Sequence, residues 1–257
     1  MNIHSDRPES HDGGRRSVKT RWGWPVALAG LIGLVDCGAA VAAPDFSGTW
    51  QVEKAVQVLK TADGKTPPLR PEAAKVYEAR RKQWRAGDLS FDPTAKCVSP
   101  GLPRALYLPY PFEILQGPKK LTYLFEWNYW NRHVYVMDRA REVPYPLSMG
   151  LSQGSWQGET LVISTTDLRA DNTLLDSAGM PRSESMKITE RMRLLDPGTL
   201  EVRFTIDDPE TFTRPWDTVV RFKRLRQGSE IKTDICLDRV AAGKPAVDWH
   251  RIAQTQH

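Results

Sequence analysis

Residues 185–206, SMKITERMRLLDPGTLEVRFTI, carry the reading on which the fold turns. Before Asp196-Pro197-Gly198, the apolar residues Met186, Ile188, Met192 and Leu194 fall on alternate positions; after it, Leu200, Val202, Phe204 and Ile206 do the same. A period of two is that of a strand with one buried face, and Asp-Pro-Gly is a strong turn signal. The segment is therefore expected to form an antiparallel hairpin. The pattern continues outward in both directions. Upstream, 154–156 and 160–165 flank Gln157-Gly158-Glu159, while 112–116, 121–127 and 132–138 form a meander broken at Gly117-Pro118 and at 128–131. Downstream, a long strand runs from Trp216 to Leu225. Roughly eight strands with short connections are best accommodated by a mainly β fold, an antiparallel barrel or strongly curved sheet that leaves few exposed edges. One N-terminal helix accompanies them. Pro71 can occupy a first helical position, Ala73, Val76, Tyr77 and Trp84 lie close to one face, and Gly87 follows the end. The Pro-rich stretch 88–111 reads as an irregular connection across the surface of this sheet.

Length and composition agree with a globular protein: 257 residues, 40% hydrophobic, 36 Lys+Arg against 31 Asp+Glu. The first 42 residues read as a cleaved export signal. A basic stretch that includes Arg15-Arg16 and Lys19 precedes an apolar run at 24–35, too short to span a bilayer, and Ala40-Val41-Ala42 supplies small residues for cleavage. Residues 43–257 are then a single β-rich domain with no integral membrane segment, periplasmic or secreted by the Sec or twin-arginine route. The densest basic segment, Arg80-Arg81-Lys82 with Arg85, shares its helix with Glu72 and Glu78 and reads as a solvated face, so nucleic acid is not an expected partner. Cys37 leaves with the signal. Cys97 and Cys236 remain, an even pair expected to form a disulfide in an oxidising compartment.

Gly48-Thr49-Trp50 in the first strand, together with Arg221 or Arg224 in the last, resembles the lipocalin/calycin signature, in which a Gly-x-Trp tryptophan packs beneath a late-strand arginine at the closed end of a barrel. A second resemblance spans 111–216: Pro111-Phe112-Glu113-Ile114, Gly154-Ser155-Trp156-Gln157-Gly158, Gly179-Met180-Pro181-Arg182, Glu190-Arg191, and Asp207-Asp208-Pro209 with Arg214-Pro215-Trp216 are similar to a family of secreted bacterial proteins of unassigned function. That likeness implies export and a β-rich fold. It implies no particular chemistry.

Several constellations bear on function. Gly150-Leu151-Ser152-Gln153-Gly154 matches GxSxG, but a nucleophile elbow needs a strand before the Ser and a helix after it, and a hairpin follows here. No HxH, HExxH, EF-hand, P-loop or dinucleotide pattern occurs, so neither a metal nor a cofactor is expected. On a strand, His133 and Tyr135 share a face. Pointing inward with Asp138 and Glu190, they could supply an acid and a base for cofactor-free isomerisation, elimination or hydration; pointing outward, they form a polar ladder. Asp207-Asp208-Pro209 reads as turn chemistry. Tyr123, Phe125 and Trp127, with Arg191, Arg214 and Trp216, are candidate contacts for a small hydrophobic or aromatic ligand in a barrel lumen. Lumenal binding is the leading expectation, with the enzyme and a structural envelope role as alternatives.

Overall fold

The computed structural model describes residues 43–136, 142–170 and 173–251. Residues 1–42, expected to be an export signal and including Cys37, and also Asp138 lie outside the described residues. Nine strands close into a barrel in sequence order: β1 (Gly48–Val52), β2 (Phe112–Gln116), β3 (Lys120–Phe125), β4 (Asn131–Tyr135), β5 (Leu151–Gln157), β6 (Thr160–Thr166), β7 (Lys187–Asp196), β8 (Thr199–Asp207) and β9 (Trp216–Arg224). The fold is mainly β, a closed barrel, as strands with one buried face require. In the 185–206 hairpin, Ile188 pairs with Ile206, Met192 with Val202 and Leu194 with Leu200, so the two apolar rows share the inner face. Asn128 and Tyr129 both have left-handed φ (58° and 53°), which fits the tight reversal between β3 and β4.

Three features differ from the sequence reading. The sheet is not wholly antiparallel: β4 pairs with β5 in parallel through Val134–Ser152 and Tyr135–Gln153. A parallel neighbour requires the chain to cross back between the strands, and that crossover is the long segment following Tyr135. Besides α1 (Pro71–Arg85), a second short helix, α2 (Cys236–Ala241), follows the barrel. The stretch 99–112 is not a surface connection but is buried throughout. Its short 3-10 helix, Arg104–Tyr107, is buried at every position, and Leu102, Ala105, Leu106 and Tyr107 join the core formed by the barrel's inner face.

Register explains why. Tight turns at 117–119, 158–159 and 197–198 all lie at one end of the barrel, whereas the connections 53–111, 126–130, 167–186 and 208–215 all emerge at the other. Long apolar connections confined to one rim have only the barrel mouth against which to bury their side chains, so they cap it. Asp176 fastens this cap. Its buried carboxylate accepts from the Tyr77 hydroxyl of α1 (2.6 Å), from Leu59 N (3.0 Å) and from Met180 N (2.9 Å). Burial pushes its carboxyl above the ordinary value despite these bonds.

The tight-turn end is closed by Gly48-Thr49-Trp50 and Arg224. Trp50 on β1 is fully buried and pairs directly with Arg224 on β9, whose guanidinium carbon stands 4.2 Å from the indole centroid. Arg224 Nε donates to Pro197 O (2.8 Å) and Nη1 to Ser47 O, while Trp50 Nε1 donates to Phe46 O (2.9 Å). Phe46 stacks on Trp156 at 5.5 Å. Gly48 has φ +129°, and a Cβ there would lie 2.6 Å from Arg224 Nη1. Glycine is thus required twice, for its backbone angle and for the room it leaves the arginine. The other candidate arginine, Arg221, instead pairs with Glu201 on the outer face.

The expected disulfide joins Cys97 to Cys236 with Cα atoms 5.6 Å apart across 139 residues of sequence. It ties the chain beyond β9 to the cap. A bridge over a loop of this length stabilises by about 2–5 kcal/mol.

Replacing Gly48 with Ala is expected to lower unfolding free energy by about 1–3 kcal/mol, because it combines backbone strain with displacement of the Arg224 cation from its ring. Arg224→Leu should cost a comparable amount in a urea titration. A stability unchanged in both variants would dissociate the motif from barrel closure.

Candidate functional site

The inner face holds one polar cluster. Arg132 on β4 and Glu190 on β7 are each almost wholly buried and form a two-pronged pair, Nη2–Oε1 2.5 Å and Nη1–Oε2 3.0 Å. Ser152 Oγ on β5 accepts from Nε and Nη2 of the same guanidinium (3.0 and 2.9 Å), and Thr165 Oγ1 on β6 accepts from Nη2 (3.0 Å). Arg132 also faces the Tyr123 ring, 5.4 Å from its centroid. All the guanidinium nitrogens have partners. Such a group is locked: it fixes the register of four strands and has little left with which to act on a substrate.

The sequence candidates divide between faces. Glu190 points inward, since it alternates with Ile188 and Met192. His133 and Tyr135 point outward, because Arg132 and Val134 take the inner positions of β4. His133 Nδ1 lies 3.2 Å from Thr122 Oγ1 on the neighbouring strand, and its ring is 6.2 Å from that of Tyr135. The outward polar ladder is the arrangement present. Burial, with Lys120 nearby, holds the His133 imidazole below the usual value of about 6.5. His133 and Glu190 are therefore not brought together, and Asp138 lies outside the described residues.

The proposed ligand contacts are likewise dispersed. Tyr123 and Phe125 pack against Phe112, with centroids 5.8 Å away in each case, inside the core. Trp127 belongs to a second buried cluster with Leu108, Tyr110 and Cys236, and its Nε1 donates to Ala246 O (2.9 Å). Trp216 is buried edge-on to Phe212 (5.3 Å), not beside Arg214, which is exposed. Arg191 lies on the outer face and donates to Gln157 Oε1 (2.9 Å). Ser152 of the GxSxG match is a strand residue bound to Arg132, and neither a nucleophile nor a loop cap. Asp208 accepts from Ser183 N and Oγ and from the amides of Glu210 and Thr211, the turn role expected of it.

A solvent-reaching cleft of about 600 Å³ opens in the cap. One wall is Trp84 at the end of α1 with Leu89; the other is the C-terminal segment with Val247, Trp249 and His250. Between them lie Asp92, Arg104 and Ser177. Arg104 is 2% exposed and grips Asp92 with both terminal nitrogens (2.8 and 2.6 Å), while Nη2 also reaches Ser177 Oγ (3.1 Å) and Nη1 reaches Thr94 Oγ1 (3.1 Å). Its Nε has no hydrogen-bond partner among the described residues. The second wall is held in place by the Cys97–Cys236 bond and by Tyr110, whose hydroxyl accepts from Asp248 N (2.9 Å). Two indoles around a guarded guanidinium form a mainly apolar cleft with a polar floor, the usual character of a small-molecule site.

No protein-family model matches the chain, nor does any curated protein sequence. Among solved structures, the chain is similar to a variant of the fluorescent protein UnaG, at 16% identity and a TM-score of 0.33, over 71% of this chain and 97% of that one.

Sequence reasoning missed the cleft because Trp84, Asp92, Arg104, Ser177 and Trp249 come from distant segments with no shared spacing. The one available signal was Arg104 amid the apolar run 102–112, a charge that has to find a partner if its neighbours are buried.

Arg132→Met is expected to destabilise the fold by about 3–5 kcal/mol by stranding Glu190, whereas Arg132→Met with Glu190→Leu should recover most of that loss in the same denaturation assay. An NMR titration should place the His133 pKa below that of an unfolded-chain imidazole. The sign follows: a base with a lowered folded-state pKa adds stability above its unfolded pKa, and that part is lost as pH falls through the folded one.

Proposed function

We propose that the protein is an exported calycin-like barrel that binds a small molecule with a flat apolar or aromatic body, and that the molecule sits in the cap cleft. The observation that carries this reading is that Trp84 and Trp249 both line a cleft of about 600 Å³ whose lining also includes the polar residues Arg104 and Ser177. Indole faces provide apolar contact at low entropic cost, and a few polar groups beside them favour a ligand that also presents a carbonyl or carboxylate oxygen. The lumen is a less suitable place. Its lining residues Phe112, Tyr123, Phe204 and Phe222 are almost wholly buried within one continuous core, and its polar cluster is saturated.

Export is supported by the basic, apolar and small-residue order of the first 42 residues, by the likeness of 111–216 to secreted bacterial proteins, and by the disulfide. The acid–base alternative gains no support from residues on opposite faces of β4 and β7.

The test uses 1-anilinonaphthalene-8-sulfonate, an aromatic body bearing an anionic oxygen group, as a fluorescent probe. Trp249→Ala and Trp84→Ala should each weaken binding about tenfold, equivalent to about 1.4 kcal/mol, and Ala95→Trp, which fills the cleft, should abolish it. Circular dichroism should report an intact barrel in all three. Unchanged affinity in the three folded variants would move the ligand elsewhere and overturn the cleft reading.

A further inference from the structure

A second concavity, of about 670 Å³, lies where the chain leaves β9 and returns past the end of β3. It shares no lining residue with the cap cleft, and its chemistry is the opposite. Lys223, Arg224, Arg226, Lys232 and Arg251 line it, against only two acids, Glu126 and Glu230. Five bases against two acids in one groove account for a large part of the chain's net charge of +5.

The acid that belongs to this groove is largely spoken for. Glu126 is 1% exposed and accepts from Lys232 N (2.8 Å) and from Arg251 Nη2. Burial drives its carboxyl upward, only partly countered by these donors. Its charge is spent on holding Arg251, which also contacts Asp234 (3.3 Å). Arg224 is fixed by Trp50, Pro197 O and Ser47 O, and Lys223 Nζ by Thr199 Oγ1 (2.9 Å). Three of the five cations are thus set in position before any ligand arrives, which lowers the ordering cost of binding. Lys232 and Arg226 are exposed on the opposite lip. Ser229, whose main-chain carbonyl is taken by Thr49 Oγ1 (2.9 Å), directs a hydroxyl-bearing residue into the same lining.

We infer that this groove is a binding site for a small anion of at least two negative charges, of the phosphate class, held by the fixed Arg224 and closed over by Arg226 and Lys232, with Arg251 and its carboxylate partners forming the wall behind them. Arginine forks match phosphate oxygens two at a time, and lysines add point charge. The inference is independent of the cap-cleft reading, since the two sites share no residue.

Inorganic pyrophosphate is the probe, titrated calorimetrically into the protein comprising residues 43–257. At about 20 mM salt it should bind saturably. Affinity should fall at least tenfold at about 200 mM salt, where charges are screened over a shorter distance. The double variant Arg226→Glu with Lys232→Glu, both exposed and peripheral to the core, should lose binding by more than tenfold while its melting temperature and its 1-anilinonaphthalene-8-sulfonate affinity stay unchanged. Cosedimentation with vesicles containing phosphatidylglycerol, competed by pyrophosphate, would place the phosphate on a lipid headgroup; binding of pyrophosphate without vesicle association would identify a free phosphate compound. Absence of saturable heat with the wild-type protein, or equal pyrophosphate affinity in wild type and the double variant, would overturn the site.

Discussion

Closure of the barrel rests on a strand of five residues. β1 must pair with β2 on one edge and β9 on the other, and each ladder has only three registered pairs. Backbone bonds alone make a weak seam at that length. The seam is reinforced at its centre, where the Trp50 indole is held by the Arg224 guanidinium from the strand directly opposite, a half-buried cation–π contact worth about 1 kcal/mol. The same arginine reaches the carbonyls of Ser47 and Pro197, so it joins the chain before β1 to the β7–β8 turn. If the seam opened, β2 and β9 would present unpaired edges and the core would be wetted from one side.

With that end closed, the connections at the opposite rim are free to specialise. They are long, they are apolar where they meet the barrel, and they are fastened by buried polar groups, Asp176 to α1 and Arg104 to Asp92. A charge in such a place costs far more than its partners return unless every donor and acceptor is matched. Arg132 and Glu190 satisfy that condition inside the barrel with help from Ser152 and Thr165. Arg104 meets it except at Nε.

The legible part of the fold was the part governed by period two. Asp196-Pro197-Gly198 set the register of β7 and β8, and the inward direction of Glu190 could be read from Ile188 and Met192 on either side. On β4 the same rule gave two solutions, Arg132 with Val134 or His133 with Tyr135. The interior position of Arg132 depends on a carboxylate 58 residues away, and no local pattern reports it. The cap was illegible for a related reason. Prolines at 100, 103, 109 and 111 signal irregular backbone correctly, but irregular backbone is buried or exposed according to what lies beneath it. The parallel β4–β5 pair similarly depends on a crossover whose path sequence periodicity does not encode. Two long-range contacts were available from sequence, Trp50 with a late-strand arginine, which the motif resemblance implied, and the disulfide, because Cys97 and Cys236 are the only cysteines after residue 42.

The disulfide also decides where a ligand can be held. After β9 the chain runs back past β3, and Asn128 N donates to Asp234 O (2.8 Å) before Cys236 reaches Cys97. That return path creates two concavities at once. On its way the segment borders the barrel wall beside Lys223 and Arg224; at its end it faces α1, where half-buried Trp84 and Trp249 line the cleft. Neither concavity existed in the barrel proper. One of them has a first wall from the barrel and the other from α1 and the cap, and each has a second wall that only the tethered tail supplies. A barrel whose interior is filled by Phe112, Tyr123, Phe204 and Phe222 therefore acts as a scaffold, and its open concavities lie on surfaces made with the covalently anchored C-terminal segment.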